Sequence, residues 1–245
     1  MISETTFSKK FTSFWSQLLP NANNYIRLVN EAMVESLYAP ERPVRNENVA
    51  LCNTIAFEIF RLVKTGELSK DEVSSGAIFS NVTFDKLAKD CESELKIFSH
   101  GNSMNLPLLK GELNDIRSIA IHMVEYFPAG ATNITFSPRF EGMGFLNSAE
   151  GDILLADSLI EVKAGFRNFS VNDIRQLLVY LSLNHYSRSP YVISKVELYN
   201  PRMGMVFEEN VERICDDISA LQPSDLYHQI LLFVTENNFI ELPDA

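Results

Sequence analysis

The sequence predicts an α/β protein in which a mixed β-sheet is flanked by helices and preceded by a helical N-terminal extension. Three observations predict this class. Two short apolar runs, 153–156 and 159–164, are separated by the turn-forming pair Asp157-Ser158 and have the composition of consecutive strands. A second pair of runs, 195–199 and 205–208, flanks a turn sequence rich in proline and glycine and predicts a hairpin. Apolar residues recur at helical spacing through much of the first hundred residues.

Two amphipathic helices are predicted in the N-terminal region. One apolar stripe runs from Val49 to Val63 and is followed by Gly66, a residue type that commonly ends helices. The other runs from Phe84 to Phe98 after Thr83, which is a suitable N-terminal cap. We interpret both stripes as core-packing faces and not as cofactor sites.

The predicted division of the chain places a helical region at residues 1–105 and the core at residues 106–245. The clearest break is the polar sequence at 100–103, where the helical spacing is interrupted. A helix predicted from Asn114 to Phe127 opens the core. Two more helices, near Val211 to Ile218 and from Ser224 to Asn237, are predicted to close it.

Charged residues occupy the first predicted hairpin in a pattern typical of a metal-dependent phosphodiesterase site. Side chains alternate along a strand, so Glu161 and Lys163 share one face while Ile160 and Val162 point to the other. Asp152, at the start of the preceding strand, can place a second carboxylate beside Glu161. Two neighbouring carboxylates repel each other, and a hard cation such as Mg²⁺ or Mn²⁺ relieves that repulsion. The pattern therefore predicts Asp152 and Glu161 as metal ligands and Lys163 as a catalytic cation.

The helix that follows the hairpin carries a polar pair. Ser170 and Asp173 predict the start of this helix, because a serine cap and an acid in the first turn both stabilise helix N-termini. Gln176 and Tyr180 are four residues apart and therefore share a helix face. Polar groups in so apolar a helix need hydrogen-bond partners. A metal site with bound nucleic acid or a neighbouring strand would supply them equally well.

Together these residues resemble a known family. Asp152, the triplet Glu161-Val162-Lys163 and the Gln176 to Tyr180 spacing resemble the PD-(D/E)xK nuclease superfamily, and the Gln-x-x-x-Tyr helix resembles its RecB-like branch. The resemblance covers residues 110–208 of the chain. It implies a PD-(D/E)xK-type mixed sheet, a Mg²⁺ or Mn²⁺ ion held at the acids, and helix residues that support the site or contact DNA.

The resemblance also implies a function. It implies a metal-dependent nuclease that hydrolyses phosphodiester bonds, with DNA as the expected substrate and repair, mobile-element or anti-phage defence as the expected setting. RecB-like nucleases often work with a nucleic-acid-translocating ATPase or helicase, so a partner of this kind is expected. The alternative is a catalytically degenerate subunit on the same fold that binds nucleic acid or a partner protein.

One element of the family pattern has several candidates in this chain. The family usually places a further Glu or His on the helix before the sheet. Glu112 falls on the same helical side as Ile116 and Ile119, so it is the candidate most expected to face inward and join the catalytic residues. The competing residues are His122, Glu125, Glu141 and Glu150.

Composition limits the other possibilities. The chain has 245 residues, of which 46% are hydrophobic, enough for one sizeable core. No run of eighteen apolar residues and no secretory signal are apparent, so we expect no membrane segment and a cytoplasmic location. Three widely spaced cysteines predict small core residues in a reducing compartment and no iron–sulfur cluster. The sequence leaves the oligomeric state open.

The charge balance argues in two directions. A net charge of −11 opposes binding to phosphates, which relies on cationic side chains. From Glu161 to Arg202, however, the sequence contains six basic and three acidic residues, so the predicted site segment is locally basic. Arg202, at the tip of the second predicted hairpin, is either a phosphate contact or a solvated side chain.

Overall fold

A six-stranded mixed sheet lies between helices on both of its faces. The computed structural model describes residues 1–98, 105–128 and 133–237. The strand order is β1-β8-β7-β6-β5-β2; β6 and β7 are parallel and all other neighbours are antiparallel. A separate two-stranded ribbon is formed by β3 and β4. The strands are β1 Glu35–Ser36, β2 Ile134–Phe136, β3 Arg139–Phe140, β4 Ala149–Glu150, β5 Ile153–Leu155, β6 Ser158–Val162, β7 Lys195–Asn200 and β8 Met205–Asn210.

Helices make up most of the remaining described chain. They are α1 Glu4–Lys9, α2 Thr12–Leu18, α3 Ala22–Leu28, α4 Val49–Thr65, α5 Lys70–Ser75, α6 Val82–Phe98, α7 Lys110–Tyr126, α8 Val171–Tyr186, α9 Val211–Ser219 and α10 Pro223–Glu236. Short π- and 3₁₀-helical turns occur at Val29–Met33, Asn46–Asn48 and Ala77–Ser80. Every helix in the described segments is too short or too polar to cross a membrane. The predicted α/β class with a mixed sheet is confirmed.

The sheet separates two hydrophobic cores. Leu159 and Leu198 point to the front face, where they pack in one cluster with residues of α1, α2, α3, α8, α9 and α10. Ile160 and Tyr199 point to the back face and pack with residues of α4, α6 and α7. Because neighbouring residues along a strand alternate between faces, β6 and β7 are apolar on both sides, as expected for central strands.

The N-terminal hundred residues contribute to both cores. Helices α1–α3 belong to the front core and α4 and α6 to the back core, while β1 pairs with the edge strand β8. The predicted break at 100–103 lies outside the described residues, so the boundary at residue 105 stays a prediction.

Most helix predictions are confirmed, with corrections at two starts. Gly66 follows α4 with a positive φ of 80°, as predicted for the stop. Helix α6 begins at Val82, before the predicted cap Thr83. Its N-terminal end is capped by Asn81, whose Oδ1 accepts a hydrogen bond of 3.1 Å from the Thr83 amide. Helix α7 begins at Lys110, before the predicted Asn114. The two closing helices lie where they were predicted.

The β5–β6 hairpin is confirmed, but its turn is one residue earlier than predicted. Leu155 pairs with Ser158, which leaves Ala156 and Asp157 as the turn residues. Ala156 adopts a positive φ of 53°, the conformation that a tight two-residue hairpin turn requires. The β7–β8 hairpin is also confirmed.

The cysteines are core residues. Cys52 and Cys91 lie in the back core and Cys215 in the front core, all three with free thiols. Burial raises the pKa of each thiol to about 12, so they are held as neutral thiols.

Candidate active site

The pairing of β5 with β6 brings the two predicted metal ligands together. Ile153 pairs with Ile160, so Asp152 lies across from Glu161 on the neighbouring strand. Asp152 Oδ2 accepts a hydrogen bond of 2.7 Å from the backbone amide of Val162. The Glu161 side chain is only 5% exposed. The site is therefore a pair of carboxylates in which Glu161 is buried and Asp152 is half-buried.

Lys163 joins this pair to the helix layer. Its backbone amide donates to the Tyr199 carbonyl at 2.7 Å, which extends the pairing of β6 with β7 by one residue. Its Nζ donates to Glu161 Oε1 at 2.8 Å and to Gln176 Oε1 at 2.7 Å. The structure thus places the carboxylate and the ammonium side by side, as the strand alternation predicts.

Helix α8 starts where the sequence predicts. The amide and the hydroxyl of Ser170 both donate to Asp173 Oδ2, at 2.7 and 2.9 Å. Arg167 also binds Asp173, with both guanidinium contacts at 2.7 Å. This capping arrangement fixes the first turn of α8 beside the strand that carries Lys163.

Gln176 and Tyr180 form a chain of hydrogen bonds that ends at Lys163. Gln176 Nε2 donates to the Tyr180 hydroxyl at 2.8 Å, while Gln176 Oε1 accepts from Lys163. Tyr180 is buried and its ring stacks on Phe140 at 5.4 Å between centroids. Of the two partners that the sequence allowed for this pair, the structure shows contact with the neighbouring strand.

Burial raises the pKa values of both acids, and repulsion from Asp152 adds to the shift of Glu161. Burial raises the pKa of Asp152, and the nearby Lys163 ammonium opposes that shift. Burial, followed by the charge of Asp152, raises the pKa of Glu161 to about 8. Glu161 Oε2 is buried without a hydrogen-bond partner. A proton or a cation between the two carboxylates would remove this unfavourable arrangement.

The Lys163 ammonium is held in its charged form. Burial acts to lower its pKa, but the charges of Glu161 and Asp152 outweigh that effect and raise it. The lysine therefore stays protonated at neutral pH. It neutralises part of the negative charge that the acids carry.

Glu4 is a residue near the site that the sequence analysis missed. Its Oε1 accepts hydrogen bonds from Thr5 Oγ1 at 2.7 Å and from Gln176 Nε2 at 3.5 Å. Its charge contributes to the raised pKa values of Asp152 and Glu161. No local pattern around Glu4 indicates this role, because only the packing of α1 on α8 brings it to the site.

Helix α1 is fixed in place by aromatic packing. Phe7 is fully buried, and its ring lies 5.0 Å from that of Trp15 and 5.9 Å from those of Phe145 and Phe233. Trp15 Nε1 also donates to the Phe7 carbonyl at 2.9 Å. Aromatic packing therefore holds the helix that carries Glu4 in a fixed position beside the site.

Glu112 lies away from the carboxylate pair. Its oxygens accept hydrogen bonds from Arg45 at 2.7 and 2.5 Å and from the Leu109 amide at 2.7 Å. Burial acts to raise its pKa, but these donors lower it overall. Glu112 is buried, as its helical side predicts, yet its hydrogen bonds are structural, and the structure does not bring it to Asp152 and Glu161.

The competing candidates also have other partners. His122 Nδ1 contacts the Pro201 carbonyl at 3.0 Å, and its ring stacks on Tyr38. The remaining three are bound or placed elsewhere: Glu125 pairs with Lys70, Glu150 pairs with Arg139, and Glu141 lines a cavity beyond α1. Glu4 is thus the further acid whose charge acts on the pair.

The carboxylate pair fits a magnesium-like ion better than a fully protein-coordinated metal. Among the described residues, no group of three or more His, Cys, Asp or Glu side chains is arranged to hold a metal. Mg²⁺ is commonly bound through one or two carboxylates and keeps several waters. The unpartnered Glu161 Oε2 and the all-oxygen donor set of Asp152 and Glu161 match that preference.

Two cavities flank α1. One, of about 470 Å³, lies at the start of α8 and is lined by Lys163, Gln176, Lys9, Arg167 and Asp173, among others. The other, of about 920 Å³, includes Glu4 in its lining. The smaller cavity is the one into which the predicted site residues Lys163 and Gln176 open.

The predicted basic segment is largely neutralised by the fold. Lys163, Arg167 and Lys195 each form an ion pair, with Glu161, Asp173 and Glu208 respectively. The prediction that Arg202 contacts a phosphate or lies in solvent is wrong, because Arg202 is 0% exposed and pairs with Asp115 on α7. The turn that carries it folds inward, where a buried carboxylate needs a cation.

Comparison with models of known protein families gives no match, and comparison with curated protein sequences also gives none.

Proposed function

We propose that the protein is a metal-dependent nuclease of the PD-(D/E)xK type that hydrolyses phosphodiester bonds, with DNA as the expected substrate. The observation that carries this proposal is the pair of buried Glu161 and half-buried Asp152, with raised pKa values and an unpartnered Glu161 oxygen, beside the Lys163 ammonium. An apolar or fully hydrogen-bonded core would be more stable at this position. A carboxylate pair with an unsatisfied oxygen is therefore suited to binding a ligand.

Asp152 and Glu161 would hold Mg²⁺ or Mn²⁺. When bound, the ion supplies charge stabilisation for the phosphate and lowers the pKa of a coordinated water. Glu161 releases its proton on binding, because a nearby cation lowers the raised pKa. Lys163 keeps its charge and is positioned to neutralise the charge that develops on the phosphate oxygens.

Gln176 and Tyr180 act as positioning residues in this proposal. Gln176 accepts from Lys163 and donates to Tyr180, so it fixes the direction of the ammonium group. A lysine side chain has several rotatable bonds, and fixing it in advance reduces the entropy lost in the reaction. Tyr180 holds Gln176 and fills space against Phe140.

The direct test is cleavage of linear, circular and single-stranded DNA and of RNA by purified protein with and without Mg²⁺. Wild-type protein is expected to cut at least one of these only with the metal. Asp152→Ala and Lys163→Ala are expected to abolish cutting while leaving the circular dichroism unchanged. Lys195→Ala, which removes an exposed lysine of the same sheet, is the matched control and keeps full activity. Normal cutting by both site variants would overturn the proposal.

A second candidate function is a non-catalytic subunit that binds nucleic acid or a partner protein. It is favoured by one observation: Lys163 is already paired with Glu161, and both of these side chains have little access to solvent. Calorimetric titration with Mg²⁺ or Mn²⁺ separates the two candidates. Metal binding that is lost in Asp152→Ala supports the nuclease, whereas nucleic-acid binding without metal binding supports the subunit.

We further propose that a nucleic-acid-translocating ATPase or helicase delivers the substrate. The chain carries a net charge of −11, so the isolated protein is expected to bind DNA weakly and to lose that binding steeply with salt. Cutting is expected to be slow alone and faster with the partner. Low-nanomolar binding of naked duplex at physiological salt would contradict this expectation.

A further inference from the structure

We propose that nucleic acid reaches this site as a single strand, with one base stacked on Phe166. The inference deepens the proposed function by naming the form of the substrate and the surface that holds it. The cutting of the bound strand rests on the proposed function. The stacking surface at Phe166 and the cations Lys9, Arg167 and Arg42 lie outside the proposed catalytic residues.

The acids are partly recessed from the surface. The side chains of Glu161 and Lys163 are 5% and 16% exposed, Asp152 is half-buried, and Lys163 lines the cavity beside α1. That cavity, of about 470 Å³, has the size of sites that hold small ligands, which corresponds to about one or two nucleotides. Enzymes that react with a base in a recessed pocket act on single strands or on displaced nucleotides, and a recessed phosphodiesterase site favours the same form of substrate.

The lining of the cavity contains more cations than acids, which suits a strand backbone. Lys9, Lys163 and Arg167 line it together with the acid Asp173; Lys163 and Arg167 are paired with Glu161 and Asp173. None of the ion pairs in the described part of the chain uses Lys9. A strand phosphate that enters here meets cations before it reaches the carboxylate pair.

Phe166 provides a stacking surface next in sequence to a residue that lines this cavity. It precedes the cavity residue Arg167 in the loop between β6 and α8, and it is 41% exposed. The guanidinium carbon of Arg42 lies 5.7 Å from the centre of its ring. An exposed aromatic ring beside cations is the combination that single-strand-binding proteins use, because bases stack on the ring while cations follow the backbone.

Arg42 extends the cationic path away from the site. It also lines a separate cavity of about 640 Å³, together with Arg117 on α7. Arg42, which lines the second cavity, contacts Phe166, the sequence neighbour of Arg167, which lines the first. Charge complementarity along Lys9, Arg167 and Arg42 is what favours a polyanion as the occupant, in a chain whose net charge is −11.

The test is binding of fluorescently labelled strands of about 12 nucleotides, within the site sizes of single-strand-binding proteins. Single-stranded DNA, single-stranded RNA and the corresponding DNA duplex are each titrated in EDTA so that nothing is cut. Wild-type protein is expected to bind a single strand about tenfold more tightly than duplex. Phe166→Ala is expected to weaken single-strand binding about tenfold, which corresponds to the loss of one base stack, and to leave duplex binding unchanged.

Two further variants keep the test specific. Phe166→Trp retains a stacking ring and is expected to bind as wild type does. Tyr186→Ala removes an aromatic side chain of similar exposure, 39% against 41%, at the far end of α8, and is expected to have no effect. Circular dichroism confirms that each variant is folded.

The outcomes separate this inference from the nuclease proposal. Equal binding of duplex and single strands, or equal effects of Phe166→Ala and Tyr186→Ala, overturns the inference even if Mg²⁺-dependent cutting is observed. Phe166-dependent binding of single strands without any cutting supports the inference and overturns the nuclease proposal. The DNA and RNA arms identify which sugar the surface accepts, and Phe166-dependent binding of either supports the inference.

Discussion

Two clusters of buried charge, one on each side of the sheet, differ in how completely their hydrogen bonds are satisfied. Arg202 binds both oxygens of Asp115, at 2.5 and 2.8 Å, and also donates to the Ala164 carbonyl and to Asn53. In contrast, Glu161 Oε2 has no partner, and repulsion from Asp152 raises the pKa of Glu161. A complete network stabilises the fold, whereas an incomplete one is suited to completion by a ligand.

The two clusters are linked through the chain. Arg202 Nε and Asn53 Nδ2 both donate to the carbonyl of Ala164, at 2.9 Å, and Ala164 directly follows Lys163. The complete cluster therefore holds the backbone from which the lysine of the incomplete cluster extends.

The largest expected effect is the loss of Arg202. Arg202→Met is expected to lower the free energy of unfolding by about 3–5 kcal/mol, because it leaves Asp115 buried without a partner. Urea denaturation followed by circular dichroism measures this. Arg139→Met, which removes a surface arginine paired with Glu150, is the control and is expected to change stability little. Similar small losses of unfolding free energy in both variants would show that the buried Arg202–Asp115 pair contributes little to stability.

A third buried acid sharpens the comparison through pH. Burial raises the pKa of Glu197 to about 7; the Tyr126 hydroxyl opposes this shift and the charge of Glu208 adds to it. A carboxyl whose pKa is higher in the folded state stabilises the fold below its unfolded pKa, and that contribution is lost as pH rises through 7. Glu197→Gln is therefore expected to be more stable than wild type at pH 8 by about 2 kcal/mol, and equally stable near pH 4.

Denaturation midpoints measured between pH 4 and pH 8 check this prediction. Glu150→Gln, which changes an exposed acid, should leave the pH dependence as it is in wild type. If Glu197→Gln loses stability with rising pH as steeply as wild type does, Glu197 is not the titrating group. Glu197 is hydrogen-bonded to Tyr126 and lies near the charges of Glu208 and Lys195, whereas Glu161 lies across from a second carboxylate, Asp152.

A smaller effect is expected at the carboxylate pair itself. Asp152→Asn removes one negative charge but keeps an oxygen that can accept from the Val162 amide. Without metal, this variant is expected to be about 1 kcal/mol more stable than wild type at pH 8, because the repulsion with Glu161 is gone. Thermal unfolding with and without Mg²⁺ measures it: the ion should stabilise wild type and have little effect on the variant. Equal stabilisation of both would remove Asp152 from the metal site.

The smallest effect is expected at Tyr180. Tyr180→Phe keeps the ring that stacks on Phe140 and removes the hydroxyl that accepts from Gln176. Stability should fall by about 1 kcal/mol or less, and the rate of cutting should fall more than substrate binding. Gln176→Ala should reduce turnover further, because the partner of Lys163 is lost. Full activity in Tyr180→Phe would mean that Tyr180 serves only in packing.

The site residues that the sequence predicted are those set by local geometry. Strand alternation placed Glu161 beside Lys163, and four-residue helix spacing placed Gln176 beside Tyr180. Both relations depend only on the repeat of one secondary-structure element. The two central strands and the helices around them were predictable for the same reason.

The residues that were missed depend on packing between distant segments. Glu4 reaches the site because α1 packs on α8, and Arg202 is buried because its turn meets Asp115 on α7. Glu112 was correctly expected to face inward, but the sequence does not show that its neighbour there is Arg45. The sequence pattern predicts which face of a helix or strand is buried. It does not predict which distant residue packs against that face.

The aromatic contact between Phe7 and Phe233 has a consequence for biosynthesis. Translation delivers Phe7 long before Phe233, so the ring cluster around α1 is complete only once α10 has been made. Contacts between residues so distant along the chain form slowly, and a growing chain folds from its N-terminus as it emerges. The wall beside the carboxylate pair is therefore completed only after α10 has emerged from the ribosome, and any activity of this site begins after that point.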